Sequence, residues 1–181
     1  NNNYAVDTGF IVYNERTYPN FIKLLDQLGV ERQLSTMGFS VKSLNEDYEY
    51  SGESLNTLFA KRSNIFRVGF LRMLYEMYKF GKEADASGAG LDSSITLRQY
   101  LKSKNYSDEF IHYFITPMGA AIWSTPANKV LDMPAYFFIK FFYNHGMLEI
   151  VNRPKWWVIK NGSSQYIKKI IKGFENKIHL S

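Results

Sequence analysis

PAYFFIKFFYNHG, residues 134–146, decides the architecture. It is apolar almost all round, and Lys140 is its only formal charge. A helix with no polar face has to be covered on every side, so other elements must pack around it. Pro134 suits a helix's first turn, where its missing N–H costs nothing, and Gly146 marks the end. About 12 residues make a helix about 18 Å long, too short to cross a bilayer. The segment reads as the buried central helix of a helix-dominated domain.

Outward from this helix the chain reads as a series of capped pieces. Thr96-Leu97-Arg98-Gln99 has the form of a capping box, and the spacing predicts a helix to about Lys104. Ser107 caps another, with Asp108 and Glu109 near its positive end and Phe110, Ile111 and Phe114 on its apolar face; Pro117 then interrupts and restarts the chain. A long helix is expected from about Ile65 to Ala84. Its apolar stripe runs through Phe66, Phe70, Leu74 and Met77, with Arg67, Arg72, Lys79 and Lys82 off it. Residues 85–90 read as a loop and 54–60 as a short helix. Met37, Phe39 and Val41 alternate, Asn45, Glu46 and Asp47 supply a turn, and Tyr48 and Tyr50 follow. Residues 36–50 are therefore a β-hairpin, closed by Ser51-Gly52.

Near the N-terminus, residues 4–13 read as extended, interrupted by Gly9. A helix starts at Thr17-Tyr18-Pro19, buries Phe21, Leu24, Leu25 and Leu28, and ends at Gly29. Trp156 to Ile159 is a strand, Asn161-Gly162 a turn, Ser164 to Phe174 a helix, and Ile178-His179-Leu180 a further strand. The expected fold class is α+β: a helix-dominated single domain over 1–181 with a small antiparallel sheet, to which both 36–50 and 156–159 contribute.

Composition narrows the chemistry. The 181 residues include no cysteine, which removes disulfides, thiolate metal sites, iron–sulfur ligation and thiol catalysis. Net charge is +5, but the charges are dispersed, which argues against a nucleic-acid binder. Aromatic residues reach 17%, pointing to a core or cavity built from rings. A cytoplasmic setting fits. No run of about 18 apolar residues and no leader pattern is present. The Asn1-Asn2-Asn3 opening and a strand cut off at Ser181 suggest a fragment or processed chain. Two matches to the N-glycosylation pattern, at Asn105 and Asn161, are treated as chance.

Few motifs carry chemistry. There is no phosphate-binding Gly-Lys-Ser/Thr loop, zinc-protease helix or nucleophile elbow, and His112, His145 and His179 are scattered, so no metal site is expected. Gly88-Ala89-Gly90 fails as a dinucleotide fingerprint, since it follows a helix and lacks the third glycine. PMGAAIWSTP, residues 117–126, sets small residues beside Trp123 between prolines. They permit close approach to a ligand or, more commonly, tight helix packing. Asn144-His145 either points into a cavity or simply ends the apolar helix. Residues 160–164 join a strand to a helix start, either as an anion site or as an ordinary turn. Lys61, Arg62, Arg67 and Arg72 form a loose basic group that could meet phosphate or a membrane surface, or be a solvated helix face.

Four stretches in order, VDTGFIVYNERTYPNFIKLLDQLGVE, PMGAAIWSTP, FFYNHGML and WWVIKNGSSQYIKKI, resemble the bacterial flavin-containing amine oxidase-like proteins. These are FAD/NAD-binding oxidoreductases of the monoamine oxidase and phytoene desaturase superfamily. The resemblance covers nearly the whole chain, and its most specific part is Gly119-Ala120-Ala121-Ile122-Trp123-Ser124. It implies a middle portion of such an enzyme, the substrate domain without the Rossmann FAD-binding core. Residues 1–16 and 156–181 would be the junctions to that missing domain. By resemblance, Thr8, Gly9 and Phe10 run near the flavin ring, and Lys160-Asn161-Gly162-Ser163 matches a lysine-glycine-glycine-serine pattern with Asn in place of the first glycine.

The implied chemistry is hydride transfer from a small-molecule substrate to FAD in the full-length protein, with no cofactor expected in this fragment and no activity alone. Trp123, Asn144 and His145 are the expected substrate-binding residues; no catalytic residue is assigned. The alternative is a self-contained binding module for a lipid or other apolar ligand.

Overall fold

Capping chemistry sets where the helices begin and end. In this computed structural model the described residues are 6, 7, 9–44, 46–87, 91–147 and 154–179, with 84–87 described by backbone alone. In chain order the elements are β1 (Tyr13–Asn14), α1 (Pro19–Gln27), β2 (Arg32–Ser35), β3 (Ser40–Lys42), β4 (Glu49–Ser51), α2 (Leu55–Leu58) and α3 (Val68–Ser87). Then come α4 (Leu97–Ser103), α5 (Asp108–Phe110), α6 (Thr116–Trp123), α7 (Ala127–Val130), α8 (Ala135–Asn144), β5 (Trp156–Ile159) and α9 (Ser164–Ile170). The fold is α+β, mostly helical with small antiparallel sheets.

Two compact units emerge: the described residues up to Met37 together with those from Pro154 onward, and those from Gly38 to Met147. In the first unit β5 is the central strand, antiparallel to β1 and β2, with Trp157 opposite both Tyr13 and Leu34. Helix α1 begins with Pro19 and is closed by Gly29 at φ +59°, and its buried Leu25 joins Tyr13, Val30 and Ile159 in a small core. The segments expected as junctions, 1–16 and 156–181, contribute their described residues to this same unit.

The second unit is built around α8. Phe138, Ile139 and Phe142 are essentially buried, and the Phe138 and Phe142 rings stack at 4.3 Å. Phe80 of α3 and Phe110 of α5 close over them, with Phe80 5.7 Å from Phe110 and 6.3 Å from Phe138. The Thr96–Gln99 capping box forms as expected: the Gln99 N–H donates to Thr96 Oγ1 at 3.2 Å, and the Thr96 N–H to Gln99 Oε1 at 2.9 Å. A second box, Ser54 with Thr57, starts α2.

Several expectations are corrected. The hairpin over 36–50 exists as β3–β4, but it forms its own two-stranded sheet in the second unit, while β5 pairs with β1 and β2. Of the described residues of 4–13 only Tyr13 is strand, while 4, 5 and 8 lie outside them; 178–179 follow a short 3₁₀ turn (Glu175–Lys177) without pairing, and Leu180 lies outside the described residues. A 3₁₀ turn over Arg62–Phe66 precedes α3, so Phe66 lies off the helix and is 86% exposed. The rest of the expected stripe faces inward: Phe70 is buried and Leu74 and Met77 pack partly buried against the core, joined by the fully buried Met73 and Phe80. Residues 85–87 continue α3, and the Gly88–Gly90 part of the expected loop lies outside the described residues.

Pro117 does not break its helix. The backbone stays helical from Asp108 to Trp123, absorbing the proline through a π turn over Ile111–Ile115 in which the Thr116 N–H reaches back five residues to the Ile111 carbonyl. Proline has no N–H to give the Tyr113 carbonyl four residues earlier. That carbonyl accepts from the Tyr50 hydroxyl of β4 at 2.7 Å, and Tyr50 is 1% exposed. Tyr50→Phe should therefore lower the unfolding free energy by about 1–3 kcal/mol, the cost of a buried acceptor left unpaired. In a Pro117→Ala background, where an N–H returns, the loss measured by urea denaturation should shrink below about 1 kcal/mol. Equal losses in both backgrounds would mean that Tyr50 acts through its ring alone.

Candidate functional site

In the first unit the N-terminal segment and the turn after β5 are clasped together. Asn161 at φ +65° and Gly162 at φ +91° both adopt left-handed backbone, which Asn tolerates and Gly adopts freely. This geometry turns the chain so that the Ser163 N–H donates to the two carboxylate oxygens of Asp7, each at 3.0 Å. The Ser163 hydroxyl lies 3.2 Å from Asp7 Oδ2 and 3.0 Å from the Phe10 carbonyl. The Phe10 ring meets Tyr18 and Phe21 edge-on at 5.6 and 5.2 Å. A Cβ added to Gly9 would meet nothing within 4 Å. Thr8 lies outside the described residues.

The turn was expected to be either an anion site or an ordinary connection. Its Ser163 amide is occupied by an internal carboxylate, that of Asp7, which sits beside the start of α9 where negative charge is favoured. Beside it, Lys160 pairs with Glu31 at 2.6 Å, which raises the lysine's pKa and lowers the glutamate's.

In the second unit α6 delivers Trp123 at its last turn, which Ser124 ends with left-handed backbone at φ +46°. The indole is partly buried against one face of α8, with ring centroids 5.4, 5.4, 4.9 and 6.3 Å from Phe137, Phe138, Phe141 and Phe142. His145 stacks on Phe141 at 4.0 Å, and its Nδ1 lies 2.8 Å from the Phe141 carbonyl. Since a carbonyl only accepts, that nitrogen carries the proton in the neutral ring. Phe141 is thus the shared neighbour of Trp123 and His145, while Asn144 is exposed at the end of α8.

The small-residue run serves packing at Gly119. A Cβ there would come 2.5 Å from Val130 Cγ1 and 3.1 Å from Phe138 Cε2. Gly119 lets α6 close on α7 and α8, and so sets the depth at which Trp123 meets the phenylalanines. Gly119→Ala should cost about 1–3 kcal/mol by overpacking, read from thermal melts. An unchanged melting temperature would show that α6 is free to shift.

Elsewhere in this unit a cleft of about 330 Å³ is lined by Glu46, Tyr48, Arg67, Gly69, Glu109 and Tyr113, among others; Trp123, Asn144 and His145 are not part of it. The Tyr48 and Tyr113 rings stack at 3.9 Å, and the Tyr113 hydroxyl donates to Glu46. Arg67 is engaged by Asp47, through the backbone carbonyl at 2.6 Å and the carboxylate at 3.8 Å; Lys61 also pairs with Asp47. A Cβ at Gly69 would lie 2.7 Å from Glu109 Oε1, so the carboxylate occupies the space of the missing side chain.

Sequence reasoning missed the inward-facing acids of α3, one buried and one partly buried. Glu76 is 5% exposed and accepts from the Ser107 amide at 3.2 Å, from its hydroxyl, and from Arg72 at 3.1 Å. Glu83 accepts from Tyr106 at 2.9 Å and Tyr100 at 3.4 Å. The available signal was an acid on an otherwise apolar stripe, Met73–Glu76–Phe80. Among the described residues no three acidic or histidine side chains gather to hold a metal ion, and no helix is long and apolar enough to cross a membrane. No protein-family model and no curated protein matches this chain.

The phenols give the unit a pH signature. Burial pushes Tyr48, Tyr50 and Tyr106 well above the ordinary phenol value of 10.0, and the hydrogen bond to Glu46 is the main cause that takes Tyr113 up to about 12. A raised phenol keeps its proton in the folded state while the unfolded chain loses it. Stability should therefore hold from neutral pH to about 10 and fall above it. Above pH 10, urea denaturation should show a slope approaching that of about four protons, weakened in Tyr106→Phe. Absorbance titration that ionises every phenol near pH 10 with the chain still folded would contradict this.

Proposed function

We propose that this chain is the substrate-domain portion of a flavin-dependent oxidoreductase of the amine oxidase-like type, acting on a small-molecule substrate in the full-length protein and inactive alone. The observation that carries the reading is the Asp7–Ser163 clasp. It joins the VDTGF and KNGSS segments, 156 positions apart in sequence, which are the two that the resemblance assigns to the cofactor side.

The residues of the first unit fit such a cofactor. Among the described residues nothing fills the space off Gly9, and Phe10 beside it is 43% exposed, which leaves room for a flat ring to approach the backbone. When bound, FAD supplies the hydride-accepting ring. The chain's own residues orient and enclose. Asp7 and Ser163 fix the path of the backbone through Gly9 and Phe10. In the second unit, Trp123 and Phe141 offer the apolar surface that a substrate pocket needs, and the Phe141 carbonyl holds the His145 ring in one orientation. Asn144 stands next to it as a polar contact.

The reading is tested by expressing the reading frame extended on both sides of this chain. The extended protein should be yellow with stoichiometric FAD, and the present chain colourless. Gly9→Val should leave the stability of the present chain within about 0.5 kcal/mol, since it meets no neighbour, yet strip or loosen the flavin of the extended protein. An extended protein without flavin would refute the assignment.

A further inference from the structure

Helix α3 carries a second apolar face, and it points to solvent. Its inner face buries Phe70, Met73 and Phe80. On the other side Val68, Leu71, Tyr75 and Tyr78 are 80, 44, 65 and 50% exposed, at the i, i+3, i+7, i+10 spacing that forms one stripe. At about 100° per residue, Arg72, Lys79 and Lys82 fall within the same arc of about 120°. The Lys79 ammonium turns away, however, to the Lys104 carbonyl at 3.2 Å, Glu83 at 3.8 Å and the Tyr106 ring at 4.6 Å, which leaves Arg72 and Lys82 as the outward cations. Between Val68 and Lys82 the helix has one acid, Glu76, and Glu83 follows directly; both are turned inward, onto Ser107 and Tyr106. The outward arc therefore holds apolar side chains and cations with no carboxylate among them. Arg72 touches Glu76 through Nε with its side chain 57% exposed, and the Lys82 ammonium lies 5.9 Å over the Tyr78 ring. The turn leading into the helix adds Ile65 and Phe66, 46 and 86% exposed.

We propose that this face of α3 docks on an anionic lipid surface. The stripe from Val68 to Lys82 is about 21 Å long and convex, so it offers no groove for a peptide, whereas a bilayer interface needs only apolar contact and paired headgroup charge. Tyrosines with flanking Lys and Arg are the side chains that settle at the headgroup level. Charge selects the occupant: a second copy would bring the same cations against these, while acidic headgroups complement them. The basic cluster expected at residues 61–72 is not the contact. Lys61 and Arg67 are spent on Asp47, and Arg62 on Asn56 and Phe59, so of that group Arg72 alone lies on the outer arc.

The test is flotation of the purified chain with phosphatidylcholine vesicles, alone or with about 30% phosphatidylglycerol. Binding should appear only with the anionic lipid and fall several-fold between about 0.05 and 0.5 M salt. Arg72→Gln and Lys82→Gln should each weaken it about fivefold. Leu71→Ser with Tyr75→Ser should abolish it while leaving the circular-dichroism melt unchanged, because both side chains are exposed. In Tyr75→Trp, indole emission should shift to the blue on anionic vesicles. The proposal is overturned if the folded chain does not float, if the folded double variant floats equally well, or if sedimentation finds a dimer that the same substitutions dissolve.

Discussion

Proline at position 117 withholds one N–H from the longest irregular helix of the second unit, and much of that unit is arranged around the deficit. The helix relaxes into a π turn, which keeps Phe110, Phe114 and Ile115 buried on one side and still brings Gly119 against Val130 and Phe138. The carbonyl left over at Tyr113 is answered by Tyr50, so a two-stranded hairpin that would be marginal alone gains a fixed anchor. The same turn of helix stacks Tyr113 on Tyr48 and thereby shapes the neighbouring cleft. A single missing hydrogen thus ties the hairpin, the helix and the core together.

The parts legible in sequence are those governed by local chemistry. The capping box at Thr96, the glycine stop at Gly29, the alternation in 36–50 and the all-round apolar helix 134–146 each have a signature a few residues long, and the elements appear where those signatures fall. What sequence did not reveal depends on partners far along the chain. Which strands share a sheet is one such matter: β5 pairs with segments more than a hundred positions away, and no local pattern in Trp156–Ile159 names them. The misreading of Phe66 has a different cause. A 3₁₀ turn delays the start of the helix by a few residues and leaves Phe66 outside it, while Phe70, Leu74 and Met77 keep their inward face.

The candidate sites divide in the same way. Trp123 and His145 were singled out because they looked out of place in their settings, and they do converge on Phe141. Gly119, taken from the same run, has the more ordinary role of allowing two helices to touch. Asp7 was passed over because one carboxylate in an extended segment carries no signal until its acceptor role is visible. The Ser163 amide that it satisfies is, by sequence, a candidate place for an external anion, and the chain supplies its own.

The discontinuity of the first unit has a consequence in time. Its central strand is Trp156–Ile159, so β1 and β2 have no partner while the ribosome is still making the second unit. The second unit is one unbroken stretch with its core-forming helices close together in sequence, and it is able to condense as it emerges. Two short strands bearing Tyr13 and Leu34 must wait unpaired until Trp156–Ile159 has been made, and only then does the Asp7 carboxylate meet its amide. During that interval these strands are exposed to wrong pairing, which makes translation speed and chaperone access between residues 37 and 156 part of how this molecule reaches its native form.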